Sequence, residues 1–147
     1  MKSLWQQSSR NEILARLDRL TPTHPPEWGR MTAPDMVAHI SDSLRMAFGD
    51  LPTRSKRLPL RYPPLKQLIL YFLPFPKNAP TAPELRARPP GEWVAELDAC
   101  RALVGRFATE SRARRWPSHP AFGALTARQW GIIGYRHLDH HLRQFRV

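Results

Sequence analysis

Between Asn11 and Leu20 the apolar residues Ile13, Leu14, Leu17 and Leu20 recur with the period of an amphipathic helix. The run TPTHPPEW that follows cannot extend it, because proline lacks an amide proton and restricts the residue before it. A second stripe, Met36, Ile40, Leu44 and Ala47, starts just past Thr32 and ends near Gly49. Thr32 as cap, Pro34 in the first turn and Asp35 three residues after the cap make a capping box with aspartate in the usual glutamate position. A third helix is predicted from about Glu92 to Thr109, with Trp93, Leu97, Cys100, Leu103, Val104 and Phe107 on one face. Thr126 and Gln129 form a second capping box, opening a last helix through RQWGIIGYRHLDHHLRQF.

Residues 51–90 differ in kind, holding ten of the sixteen prolines. Within them LKQLILYFL (65–73) suits a short buried helix or a packed crossover and is too short to span a bilayer. Such a long connection covers one end or side of a bundle, as a lid or as a membrane-surface segment. Four substantial helices without a strand pattern predict an all-α four-helix bundle, with a long proline-rich crossover between helices 2 and 3. Residues 1–147 are expected to form a single domain.

Composition narrows the function. A mean hydropathy of -0.50, with no apolar run near the roughly 20 residues a membrane-spanning helix needs, excludes an integral membrane helix. The N-terminus turns polar too soon for a secretory signal, so a cytoplasmic protein is expected. Cys100 is the only cysteine, which excludes an internal disulfide and a cysteine metal cluster. Its place on an apolar stripe predicts a buried small hydrophobe. The net charge of +11 invites a nucleic-acid reading. The arginines are spread from Arg10 to Arg143 with no zinc finger or aromatic ribonucleoprotein motif, so a solvated basic surface and no specific nucleic acid is expected.

The candidate chemistry lies in the histidines. His137 and His141, four apart, share a helix face with Trp130, Ile133 and Gly134. Gly134 costs a helix about 1 kcal/mol relative to alanine, so the chain needs room there for a ligand or a close helix contact. Taken alone, the pair fits hydrogen-bonded core histidines as readily as a metal site. His39, beside the apolar stripe of the second helix, is a third imidazole, and three such nitrogens suit Zn²⁺, Ni²⁺ or Fe²⁺ with positions left open. His140 is offset by about 60° from His137, either replacing a ligand or sitting at the surface. No H-E-x-x-H motif supplies a general base. Asp42, one turn after His39, can orient it, ligate the metal or activate water, or be a surface carboxylate near Arg45. His24 and His119 adjoin prolines and are expected to serve turns, His119 far from His137 and His141.

The blocks WGRMTAPDMVAHISDSLRMAFG (28–49) and HPAFGALTARQWGIIGYRHLDHHLRQF (119–145) resemble the DinB or YfiT-like superfamily, and most closely a branch of it with no established reaction. The resemblance implies an up-down-down-up four-helix bundle, often a homodimer. It also implies a metal site with one histidine from the second helix and an H-x3-H pair from the last, which carry over to His39, His137 and His141. Characterised relatives include metal-dependent thiol transferases and a maleylpyruvate isomerase, which use low-molecular-weight thiols such as mycothiol or bacillithiol. By superfamily-level analogy the resemblance implies a metal-dependent thiol S-transferase acting on a small molecule; Arg45 and Arg143, by position along their helices, either hold an acidic group or face solvent. A metal-dependent hydrolase and a non-catalytic ligand-binding or interaction bundle are the competing readings. Asp42, His140 and Trp130 are candidates for supporting the metal or meeting substrate.

Overall fold

Thr32 and Thr126 start the two helices that carry the histidines. In each case the threonine hydroxyl accepts from the amide three residues on, while the side chain of Asp35 or Gln129 accepts from the threonine amide. A computed structural model describes residues 1–54, 58–77 and 88–147. Its helices are α1 (Gln7–Leu17), α2 (Ala33–Phe48), α3 (Leu65–Tyr71), α4 (Trp93–Arg106) and α5 (Ala127–Gln144). Gly49 ends α2 in the left-handed conformation at φ 81°. A two-residue antiparallel pairing of Ser118–His119 with Gly123–Ala124 precedes α5, the only strands among the described residues.

The ends of α1 depart from the expected Asn11–Leu20. The helix begins four residues earlier and stops at Leu17, where the Leu20 amide reaches back to the Leu17 carbonyl in a tight turn. Leu20 stays buried outside the helix, so the apolar spacing located the core residues and missed the boundary. Similarly, α4 stops at Arg106, and Phe107 caps it while fully inside the core.

Cross-helix contacts give the helix directions. Asp42 and Phe48 of α2 meet the Arg88–Glu96 pair and Phe107 in the same order along α4, so these helices run parallel. Met46 and Ala47 cluster with Trp130 and Ile133, whereas His39 meets His137 and His141, so α2 and α5 are antiparallel. Glu12 and Arg16 of α1 meet Tyr135 and Asp139, making α1 parallel to α5. The bundle is thus up-down-down-up, an all-α fold as expected. Two successive helices pointing the same way, α2 and α4, require the long crossover between them. They also pack on each other more extensively than any other pair.

One apolar cluster, with Ile13, Leu17, Met36, Ile40, Leu44, Cys100, Leu138 and Leu142, fills the space between α1, α2, α4 and α5. Cys100 is wholly buried there, and burial pushes its thiol up to about 12, so it is the inert hydrophobe expected. A second cluster joins Met46, Ala47, Leu70, Phe122, Leu125, Trp130 and Ile133. Leu70 is the one buried residue of α3, and the Arg136 guanidinium donates to the carbonyls of Ile69, Leu70 and Leu73 at that helix's end. The crossover lies against α5 through Leu70 and Arg136, together with Tyr71, which accepts from Gln129, and Phe75, which meets His137 and His140. Residues 55–57 and 78–87 of the proline-rich segment lie outside the described residues.

The glycines of α5 serve the N-terminal segment. A Cβ on Gly134 meets Leu4 Cδ1 at 2.9 Å, so the room it makes is for Leu4 and not for a ligand. Gly131 is tighter: a Cβ there falls 2.2 Å from Trp5 Cδ1 and 2.5 Å from Ser3 Oγ. Trp5 is held in place by its Nε1, which donates to the Ala127 carbonyl at 2.6 Å, and by ring contacts with Phe107 and Trp116.

Candidate metal centre

The antiparallel pairing of α2 and α5 brings His39 against the C-terminal half of α5. His39 Nε2 lies 3.1 Å from His137 Nε2, which lies 3.1 Å from His141 Nε2. One ring nitrogen from each of the three falls within 4.8 Å of the others, a set that can hold a metal ion. His39 and His141 are buried and His137 is half-buried, so the cluster's nearest approach to the surface is on the His137 side.

The far side of each α5 ring is fixed by the chain. Ser43 Oγ gives its one proton to the Ile40 carbonyl at 2.8 Å, so at 3.1 Å from His137 Nδ1 it acts as acceptor and the imidazole donates. Gln144 Nε2 donates to the Trp28 carbonyl at 2.6 Å, which turns Oε1 toward His141 Nδ1 at 2.9 Å, and that nitrogen donates too. Both rings thus carry their proton on Nδ1 and present a bare lone pair at Nε2. A proton on His39 satisfies one of the two short contacts; the His137–His141 contact is left with two acceptors face to face. A cation resolves that conflict. Nitrogens about 2.1 Å from a shared metal are roughly 3.0–3.4 Å apart at octahedral to tetrahedral angles, the spacing of the His39–His137 and His137–His141 pairs. The donor set fits a divalent ion.

Electrostatics favour the neutral, ligating form. Burial, with His141 and His39 adding, pushes His137 well below the ordinary imidazole range. Burial first and His39 second push His141 down to about 3, against the opposing hydrogen bond of Gln144.

The other candidates fall elsewhere. Asp42 is neither ligand nor surface carboxylate: it is buried, and it accepts from Arg45 at 2.8 Å and from Arg88 Nε at 3.1 Å. Three residues beyond His39, it faces the α4 side, where Arg88 also grips Glu96 through two hydrogen bonds of 3.0 and 2.7 Å. Arg45 is taken up by that network, and Arg143 pairs with Asp139 at 2.9 Å with 71% of its side chain exposed. Trp130 belongs to the second apolar cluster and donates to the Pro117 carbonyl at 3.2 Å, two turns from His137. His140 contacts His141 at 5.2 Å between ring centroids and sits between Trp28 and Phe75. Burial lowers its pKa, but it is not one of the convergent set. Ser43 and Gln144 are the members that sequence reasoning missed.

His119 serves its turn as expected, its Nδ1 accepting from the amides of Ala121 and Phe122 at 3.1 and 3.2 Å. Burial, with Lys66 adding, pushes it down to about 3. His119 and His141 therefore stay neutral in the metal-free folded chain while the unfolded chain protonates below about pH 6.5. Folded-state pKa values below the unfolded one mean that stability is intact above pH 6.5 and lost as pH falls toward 3. Between pH 7 and 5 these two groups together are expected to remove about 4 kcal/mol. Urea denaturation of chelator-treated protein at both pH values checks this, a common midpoint contradicting it.

A family model for the DinB superfamily matches residues 6–145. No curated protein and no solved structure matches the chain.

Proposed function

The chain belongs to the DinB superfamily, and from that premise we propose that His39, His137 and His141 hold one divalent ion, zinc, nickel or iron(II), in a single domain that transfers a low-molecular-weight thiol to a small electrophile. The observation that carries the reading is the pair of Nε2 lone pairs, 3.1 Å apart, that Ser43 and Gln144 hold toward each other. When bound, the metal supplies a lowered pKa to a coordinated thiol or water. The chain contributes the rest. Ser43 and Gln144 fix the tautomers and ring planes, and burial keeps the imidazoles neutral and available. His137, the least buried of the three, is the member through which a substrate would reach the ion. The one carboxylate expected to assist water activation, Asp42, is engaged by two arginines. A thiol ionises more readily and needs no such assistance, which favours transfer over hydrolysis.

Elemental analysis of purified protein, followed by turnover assays with electrophiles in the presence and absence of small thiols, tests the reading. Stoichiometric metal with thiol-dependent turnover is expected. Turnover without thiol overturns the transferase in favour of a hydrolase. Failure to take up Zn²⁺ or Ni²⁺ overturns the metalloenzyme and leaves a non-catalytic bundle. Gln144→Leu, which keeps the buried volume and removes the acceptor for His141 Nδ1, is expected to weaken metal affinity by about 10–100-fold with the fold retained. A competition titration against a chromogenic chelator measures it. The reading includes a homodimer, which light scattering tests, a monomer contradicting it.

A further inference from the structure

Beside the histidines lies a cleft of about 410 Å³ whose walls include Trp28, Phe72, Phe75, Lys77, Arg136 and His140. That volume falls in the range of small-molecule sites. Ring contacts tie the walls to the cluster: Phe75 lies 6.3 Å from His137 and 6.1 Å from His140, and Trp28 lies 5.8 Å from His140, which touches His141. The Trp28 backbone carbonyl also anchors Gln144 and through it His141.

The charge on these walls is positive. Among the described residues Asp139 is the one carboxylate on them, and Arg143 and Arg16 already neutralise it at 2.9 and 2.7 Å. Arg136 lies over the Phe75 ring at 5.2 Å and is held by the Ile69, Leu70 and Leu73 carbonyls, so it acts as a fixed positive charge. Lys77 Nζ lies 4.4 Å from the Trp28 ring centroid, with no carboxylate in ion-pair reach among the described residues. The Trp28 and Phe75 rings suit an aromatic ligand, and an ammonium with no carboxylate in reach among the described residues suits a carboxylate. We infer that this cleft binds a small aromatic carboxylate, with Lys77 taking the carboxylate and Trp28 and Phe75 the ring. That the bound molecule is the substrate rests on the metal-dependent reading above; the binding itself does not.

Calorimetric titration with 2-naphthoate and with neutral 2-naphthalenemethanol, on metal-loaded and chelator-treated protein, tests it. Naphthoate is expected to bind both forms, at least about tenfold more tightly than the alcohol. Lys77→Ala should erase that preference, and Trp28→Leu should weaken both probes about tenfold. Arg19→Ala, an exposed charge outside the cleft walls, should change neither. Equal affinity for the two probes, or unchanged naphthoate binding in Lys77→Ala and Trp28→Leu, overturns the inference. Metal content measured on the same samples separates the two readings. Naphthoate selectivity without metal uptake keeps this one and sinks the metalloenzyme; metal uptake without selectivity does the reverse.

Discussion

His137→Ala is expected to lower affinity for a divalent ion by roughly a thousandfold while leaving the helical fold intact. His137 Nε2 makes two 3.1 Å contacts, one with His39 and one with His141. Removing it takes away one of the three proposed ligands. The same change should help the metal-free protein. It removes an imidazole that burial holds well below its ordinary pKa, together with a lone pair set against another. The variant should therefore be less sensitive to acid than the metal-free parent. The two effects have opposite signs, so a merely misfolded variant cannot imitate the result. Metal stoichiometry, far-ultraviolet circular dichroism and urea midpoints at pH 7 and 5 read them together. Retained stoichiometric binding would remove His137 from the site.

Gly131→Ala is expected to destabilise the chain by about 2–4 kcal/mol, although alanine is the better helix former by about 1 kcal/mol. The added methyl falls 2.2 Å from Trp5 Cδ1, and Trp5 cannot swing aside cheaply. Moving it breaks the Nε1 bond to Ala127 and the edge contacts with Phe107 and Trp116, and threatens the Leu4 amide bond to the Gly131 carbonyl at 3.0 Å. In a Trp5→Ala background the larger obstacle is gone and only Ser3 Oγ, 2.5 Å from the added methyl, must give way, so the same substitution should cost much less. A double-mutant cycle by urea denaturation measures that coupling. Additive effects would mean that Trp5 and Gly131 do not share one packing constraint.

What could be read from the sequence was what is locally encoded. The starts of α2 and α5 followed from threonine caps and their reciprocal partners three residues on, interactions closed within a single turn. The ends of α1 did not, because Leu4 and Trp5, which lock the preceding segment onto α5, act across more than a hundred residues. Helical spacing put His137 and His141 on one face; nothing local to α2 said that His39 would be opposite, and the family resemblance supplied that. Ser43 and Gln144 were within reach, lying four residues after His39 and three after His141, where a side chain shares the imidazole's face. Asp42 was misplaced for want of its partner. Arg88 comes from the proline-rich return, whose course no periodicity reveals. Gly134 was read as making room for a ligand or a close helix contact, and the room is filled by Leu4, which precedes α1.

His39 and His137 meet across 98 positions of chain. In the unfolded polypeptide that separation leaves the imidazoles scattered, so an ion held by all three discriminates strongly between the folded and open forms. It then acts as a reversible staple fastening the middle of α2 to the far part of α5, and mass action sets its strength. At a free concentration a hundred times its dissociation constant, such an ion adds about 2.7 kcal/mol of stability. Heat resistance in this protein becomes a property of a preparation as well as of a sequence. Two batches differing only in exposure to chelator should melt at different temperatures, and the gap should close as the ion is titrated back.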